Sequence, residues 1–220
     1  ILNIICHVMK YEIILLLIPF FVALFYGQGD ANAFLYTVLL MIPIALILIK
    51  IKGKKNEIYA KEGFLTVGLA WIVISFFGAL PFVFSGAIPS LVDAFFETSS
   101  GFTTTGASIL TEIQSLPKGI LFWRSFTHWV GGMGFLIFIL ALMPTFSGNT
   151  IHLLKAESPG PTPGKIVPKI KQTAKILYAI YFVLTLIETI FLKSAGLSWY
   201  DSIIHALGTA GTGGFSNMNA

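Results

Sequence analysis

Five stretches of this chain, roughly residues 11–26, 33–51, 63–84, 118–143 and 175–192, are apolar over lengths that a lipid bilayer accommodates better than a soluble core. About 20 apolar residues cross the hydrocarbon layer as a helix, because no water is present there to satisfy an exposed backbone. Charged residues make up 11% of the chain and hydrophobic ones 55%, where a soluble domain is roughly a quarter charged. The sequence therefore specifies an all-α polytopic membrane protein.

Ten of the fourteen Lys and Arg residues lie in two inter-span segments: Lys50, Lys52, Lys54, Lys55 and Lys61 in the first, and Lys155, Lys165, Lys169, Lys171 and Lys175 in the second. Positive charge placed this way marks cytoplasmic loops, and because two spans separate the segments, both give the same orientation. The net charge of +4 is thus a topology signal, and no nucleic acid is expected as a partner. Gly27-Gln28-Gly29-Asp30 makes a tight turn between the first two spans, so an N-terminal transmembrane hairpin is expected over residues 1–52. No small-residue cleavage site follows the first apolar stretch, which reads as a retained span. The chain starts at Ile1, so a few preceding residues are expected. Cys6 is the single cysteine; it cannot form an internal disulfide and reads as an inert thiol.

Between the third and fourth spans, residues 85–117 are too few and too polar to cross the membrane and return as two full helices. Ser90-Leu91-Val92-Asp93 carries a helix-start signal for a short helix ending near Ser100. The tract Ser99-Ser100-Gly101-Phe102-Thr103-Thr104-Thr105-Gly106-Ala107-Ser108 then returns to the surface as extended backbone. Non-helical backbone at membrane depth is tolerated only where protein buries it or where it lines a wet cavity. Small residues without ionisable groups are what a filter of main-chain carbonyls requires, since carbonyl oxygens replace the hydration shell of a cation.

The pattern recurs in Gly208-Thr209-Ala210-Gly211-Thr212-Gly213-Gly214-Phe215-Ser216. An ungapped shift of 108 positions superposes Ser90 on Ser198, Asp93 on Asp201, Thr104 on Thr212, Gly106 on Gly214 and Ser108 on Ser216. Residues 199–210 become a second short helix. The expected architecture is the hairpin, followed by repeated helix–re-entrant pore loop–helix units. The first unit covers 63–146, a basic cytoplasmic loop covers 147–174, and the second unit, 175–220, is incomplete, truncated after its filter tract. The chain is accordingly expected to be the N-terminal part of a longer protein, and its leading reading is an ion-conducting pore.

The tract from Gly101 to Ser108, the segment Phe122-Trp123-Arg124-Ser125 with Trp129-Val130-Gly131-Gly132-Met133-Gly134, and the loop Ala156-Glu157-Ser158-Pro159-Gly160-Pro161-Thr162 together resemble the TrkH/KtrB potassium-transporter family. Gly213-Gly214-Phe215-Ser216 is similar to the family's second filter, and the extra hairpin resembles TrkH rather than KtrB. The resemblance implies four non-identical helix–pore loop–helix units in one chain around a potassium path. It also implies a homodimer in the cytoplasmic (inner) membrane and a cytosolic TrkA-type nucleotide-binding regulatory subunit. Carried over by position, it makes Thr103, Thr104, Thr105 and Gly106 the first ion-binding strand, and Gly211, Thr212, Gly213 and Gly214 the second. K+ is the transported ion, and no tightly bound cofactor is expected. Neither strand is the Thr-Val-Gly-Tyr-Gly of tetrameric potassium channels, so high potassium selectivity does not follow.

Asp93 and Asp201 begin the two short helices, where capping competes with cation attraction as their role. Glu97 and His205 occupy equivalent positions one turn later and are expected to support the filter. Arg124, about two turns into the fourth span, would cost roughly 2.5–3.5 kcal/mol if unpaired. Glu97 is its expected partner, with snorkelling to the outer headgroups as the alternative. Glu188 is expected to face a wet or protein interior. His128 has no second ligand at metal-binding spacing and reads as a hydrogen-bonded helix-packing histidine. Gly131, Gly132 and Gly134 allow close approach or a bend in the fourth span. The lysine- and proline-rich 147–174 loop meets membrane lipid, the regulatory subunit or only solvent. A non-conducting membrane scaffold also accounts for the spans but not for two polar tracts in register. An intramembrane enzyme using Glu97, His128, Asp201 and His205 lacks a nucleophile and base at usable spacing.

Overall fold

The computed structural model describes residues 1–50, 60–134 and 167–219. Among these residues the chain forms seven helices: α1 (Leu2–Tyr26), α2 (Ala31–Lys50), α3 (Ala60–Phe84), α4 (Leu91–Phe102), α5 (Lys118–Gly132), α6 (Val167–Ser194) and α7 (Trp199–Ala210). Four of them, α1, α2, α3 and α6, are long and apolar enough to cross a membrane. α4 and α7 have 12 residues each, about 18 Å at the helical rise, too short to cross the hydrocarbon layer. The all-helical membrane architecture expected from sequence is the one observed.

The helix ends follow local chemistry. α1 stops at Gly27, whose φ of 64° is left-handed and whose N–H donates to the Ala23 carbonyl, a conformation glycine adopts without steric penalty. Ser90 and Ser198 cap α4 and α7 by accepting from the N–H groups of Asp93 and Asp201 at 3.3 and 3.1 Å. Each serine satisfies one of the donors that a helix start leaves without an intrahelical partner.

Three expected boundaries move. α1 begins at Leu2 rather than near residue 11, because Ile4, Ile5, Cys6, Val8 and Met9 are buried and carry its apolar packing past Lys10. The basic loop expected to reach residue 174 gives way to helix at Val167. Pro168 stands in the first turn of α6, where a missing N–H costs no hydrogen bond. The continuous helix expected over 118–143 ends at Gly132: Met133 donates to Trp129, Gly134 donates to Gly131, and Gly134 turns to a φ of 65°. Residues 135–143, most of the 147–174 loop with its Ala156 to Thr162 motif, and Lys52, Lys54 and Lys55 lie outside the described residues.

α5 is the hub. It packs against α1, α4 and α7, while α3 packs on α1, α2 and α4, and α6 on α7. At the centre Trp123 is fully buried, its ring edge-on to Phe102 with centroids 6.0 Å apart, and its indole N–H donates to the Gly78 carbonyl at 2.8 Å. One side chain thereby joins α3, α4 and α5. The C-terminal end of α5 is tied to α6, since Trp129 donates to the Thr185 hydroxyl at 3.0 Å and Tyr181 donates to the Trp129 carbonyl at 3.1 Å.

Replacing Trp123 with Phe removes the indole hydrogen bond and part of the buried ring. It is expected to lower the stability of the full-length protein by about 1–3 kcal/mol, read as a reduced thermal midpoint in detergent.

Candidate functional site

The two polar tracts leave their short helices by the same backbone path. After α4, Thr104 N–H donates to Gly101 at 3.0 Å and Thr105 N–H donates to Ser100 at 2.9 Å; after α7, Thr212 N–H donates to Thr209 at 2.9 Å and Gly213 N–H donates to Gly208 at 3.1 Å. Both are the paired closing bonds of a Schellman motif. That motif places one residue in the left-handed region, a position normally given to glycine. Here Thr104 has φ 57° and Thr212 has φ 56°, and among the described residues they are the two non-glycines with positive φ. A β-branched residue held there costs about 1–2 kcal/mol, and such strain persists where surrounding structure enforces it. Two residues further on, Gly106 and Gly214 also turn to positive φ, 77° and 90°.

The tracts meet one another and the flank of α5. A Cβ on Gly106 would land on the carbonyl oxygen of Gly213, and a Cβ on Gly213 would land in the His128 ring. Gly131 faces the Phe102 carbonyl and Gly132 faces Gly211. Glycine at these places lets α5 press its backbone against the ends of both short helices. The other side of the tracts is open: Thr103, Thr105, Ala107, Thr212 and Gly214 are exposed.

His128 has a more specific place than its sequence reading. It is fully buried, and its ring lies 3.9 Å from that of Phe215 and beside both tracts. The ring packs against the Gly213 backbone, the group within reach of its nitrogens, although neither nitrogen meets a partner in strict hydrogen-bond geometry. The signal available in the sequence was its position one helical turn after Arg124, on the same face of α5.

Arg124 and Glu97 form the polar centre of the site. Arg124 Nε stands 2.6 Å from Glu97 Oε1, and the two side chains are 2% and 0% exposed. Glu97 also accepts from the Ser108 hydroxyl at 2.9 Å and from the Ile109 N–H at 3.0 Å. On the other side Arg124 Nη1 donates to the Ser216 carbonyl at 2.8 Å, and the guanidinium lies 3.6 Å over the Phe215 ring. One buried pair therefore grips the outgoing end of both tracts. Removing a single partner from such a pair leaves a buried charge uncompensated, at a cost of ~3–5 kcal/mol.

The remaining expected support residues divide. Asp201 accepts from the Ser198 hydroxyl at 2.5 Å and from Asn217 Nδ2 at 2.6 Å, which ties the start of α7 to the segment after the second tract. Asp93 is exposed in the first turn of α4, with its N–H on the Ser90 hydroxyl. His205 is half-buried and is not brought into the network that Glu97 occupies, although the two positions are equivalent in the repeat. Glu188 is likewise half-buried on α6. Among the described residues no three His, Cys, Asp or Glu side chains gather as a metal site.

The chain matches the family model described as TrkH, cation transport protein, over residues 30–220. It is 42% identical over 209 residues to the Trk system potassium uptake protein TrkH of Escherichia coli (strain K12), covering 93% of this chain and 43% of that protein. Identity to the Trk system potassium uptake protein TrkH of Halomonas elongata is 36% over 205 residues, covering 92% of this chain and 42% of that one. The crystal structure of the potassium transporter TrkH from Vibrio parahaemolyticus superposes with a TM-score of 0.82 at 33% identity, covering 100% of this chain and 44% of that chain. The chain thus spans less than half the length of these relatives. With sequence and fold matched over nearly all of its residues, the chain belongs to the TrkH family of cation transport proteins.

Proposed function

We propose that this chain supplies two strands of a carbonyl-lined potassium filter, Thr103 to Gly106 and Gly211 to Gly214. In this reading the whole protein takes up potassium across the cytoplasmic membrane as the pore-forming subunit of a Trk-type system. The observation that carries the proposal is the pair of tracts with one backbone path, left-handed at Thr104 and Thr212, side by side and open on one face. The names of the relatives, potassium uptake proteins of Trk systems, supply the ion.

The chemistry follows from the placement. α4 and α7 end at the strands, so the negative ends of their dipoles favour a cation there. Main-chain oxygens of the strands replace its hydration water, and the membrane potential supplies about 2.3 kcal/mol per charge per 100 mV. Uptake then needs no ATP hydrolysis at the pore. In the same reading residues 1–52 form an anchoring hairpin, 63–146 and 175–220 form pore units, and the lysine-rich segments face the cytosol. A homodimer and a TrkA-type regulatory ring belong to it as what the family resemblance implies, while the relatives' names supply only membership of a Trk system. A non-conducting scaffold gives no reason for strained threonines in register.

Gly106→Ser drives a side chain onto the Gly213 carbonyl from a left-handed backbone. In potassium-starved cells carrying the full-length parent, the variant is expected to lose uptake or potassium preference over sodium at matched membrane abundance. Unchanged rate and selectivity would remove the tract from the ion path.

Arg124→Gln and Glu97→Gln each are expected to destabilise the full-length protein by ~3–5 kcal/mol, whereas the double variant recovers part of that loss in thermal unfolding. A double variant no better than the singles would end the pairing role.

Thr104→Gly and Thr212→Gly relieve about 1–2 kcal/mol of strain and are expected to raise the thermal midpoint. A simultaneous fall in potassium preference would show that the threonine side chains act at the filter, and preserved preference would show that they do not.

A further inference from the structure

We propose that the outer tip of the N-terminal hairpin sets the position of the filter strands, with Gln28 and Asp30 as positioning residues that act through α5. The proposal rests on the filter reading above and extends it to a part of the chain that anchoring alone would explain.

α5 starts after Pro117 and has no side-chain cap of its own, yet the first N–H groups of any helix require partners from outside it. The hairpin turn provides them. Gln28 Oε1 accepts from Lys118 N–H at 2.7 Å, and Asp30 Oδ2 accepts from Ile120 N–H at 3.2 Å, each across 90 residues of sequence. Asp30 is 3% exposed and its other oxygen, Oδ1, meets no partner. A buried carboxylate held this way is costly, and the positive end of α5 is the feature that compensates it. Gly119 lies between the two capped positions, where a Cβ would strike the Asp30 carboxylate and Ala23. The hairpin can seat this deeply only because that residue has no side chain.

The same corner reaches the second strand. Tyr26, at the end of α1, stands edge-on to Tyr200 in the first turn of α7, with ring centroids 5.3 Å apart. The Tyr200 hydroxyl donates to the Lys118 carbonyl at 2.6 Å, and Lys118 Nζ lies 4.3 Å over the Tyr26 ring and 5.2 Å over the Tyr200 ring. The hairpin end, the start of α5 and the start of α7 form one cluster. From Ile120 to Arg124 is about one helical turn, and His128 follows one turn later, so the axial seating of α5 at its cap sets where the two residues that border both strands arrive. A filter that replaces hydration water with fixed oxygens is sensitive to displacements of this kind.

The test uses the full-length chain in potassium-starved cells, measuring uptake against external potassium and in competition with sodium, at matched membrane abundance. Asp30→Ala and Gln28→Ala are expected to raise the half-saturating potassium concentration by about fivefold and to lower potassium preference. Asp30→Asn keeps an acceptor for Ile120 N–H and is expected to stay within about twofold of the parent. If Asp30→Ala fails to reach the membrane, Gln28→Ala, an exposed change that removes one acceptor, decides. Gly106→Ser is run in parallel. Should it shift half-saturation or preference while Asp30→Ala and Gln28→Ala alter only the maximal rate, the hairpin is an anchor and the proposal falls while the filter reading stands. Should Gly106→Ser change nothing, the filter reading itself has failed. An Asp30→Asn variant as impaired as Asp30→Ala would overturn capping as the cause.

Discussion

A single buried ion pair organises the described part of this chain. Arg124 and Glu97 are withdrawn from water, which is affordable only where each charge meets the other and the remaining lone pairs and protons are satisfied. Here they are satisfied by the parts of the chain that most need holding: Ser108 and Ile109 at the end of the first tract, and the Ser216 carbonyl at the end of the second. Extended backbone with little side-chain volume has almost no packing of its own. Charge-assisted hydrogen bonds in a low-dielectric interior supply directional restraint that apolar contact cannot.

The second constraint is backbone against backbone. α5 presents Gly131 and Gly132 to the ends of α4 and α7, and Gly213 yields its side-chain space to the His128 ring. Where most helices in a membrane meet through side chains, close approach through small residues fixes the distance between elements within narrow limits. The strained threonines belong to the same arrangement. Their left-handed conformation is held by paired Schellman bonds at both helix ends, so the direction in which each strand departs is set before any distant contact is made. The hairpin completes the arrangement from outside, since its turn caps the helix that carries both Arg124 and His128.

Much of this was legible in the sequence because the relevant signals are local. Apolar length identified α1, α2, α3 and α6 as membrane-length helices, and Ser90 and Ser198 marked the starts of α4 and α7 through the capping chemistry of the first turn. The ungapped repeat brought out the correspondence of Thr104 with Thr212, and the two residues share a backbone conformation to within one degree of φ. The cost of an unpaired arginine in lipid pointed from Arg124 to a carboxylate on the neighbouring short helix, where Glu97 stands. Each of these inferences uses a period, a spacing or a solvation cost that a one-dimensional string retains.

The sequence by itself determined an all-helical membrane chain, two short helices in register and the residue types of the tracts they release. Tertiary structure alone decided that α5 stops at Gly132, that His128 borders both tracts, and that Glu97 enters the central network while its repeat partner His205 does not. It also decided that Gln28 and Asp30 cap a helix 90 residues away. The physical reason is the same throughout. A buried pairing depends on which surfaces meet after the helices pack, and residues far apart in the chain leave no periodic trace of that meeting. Two positions equivalent by repeat can therefore hold a carboxylate in one environment and an imidazole in another, because the neighbours that solvate them come from different helices.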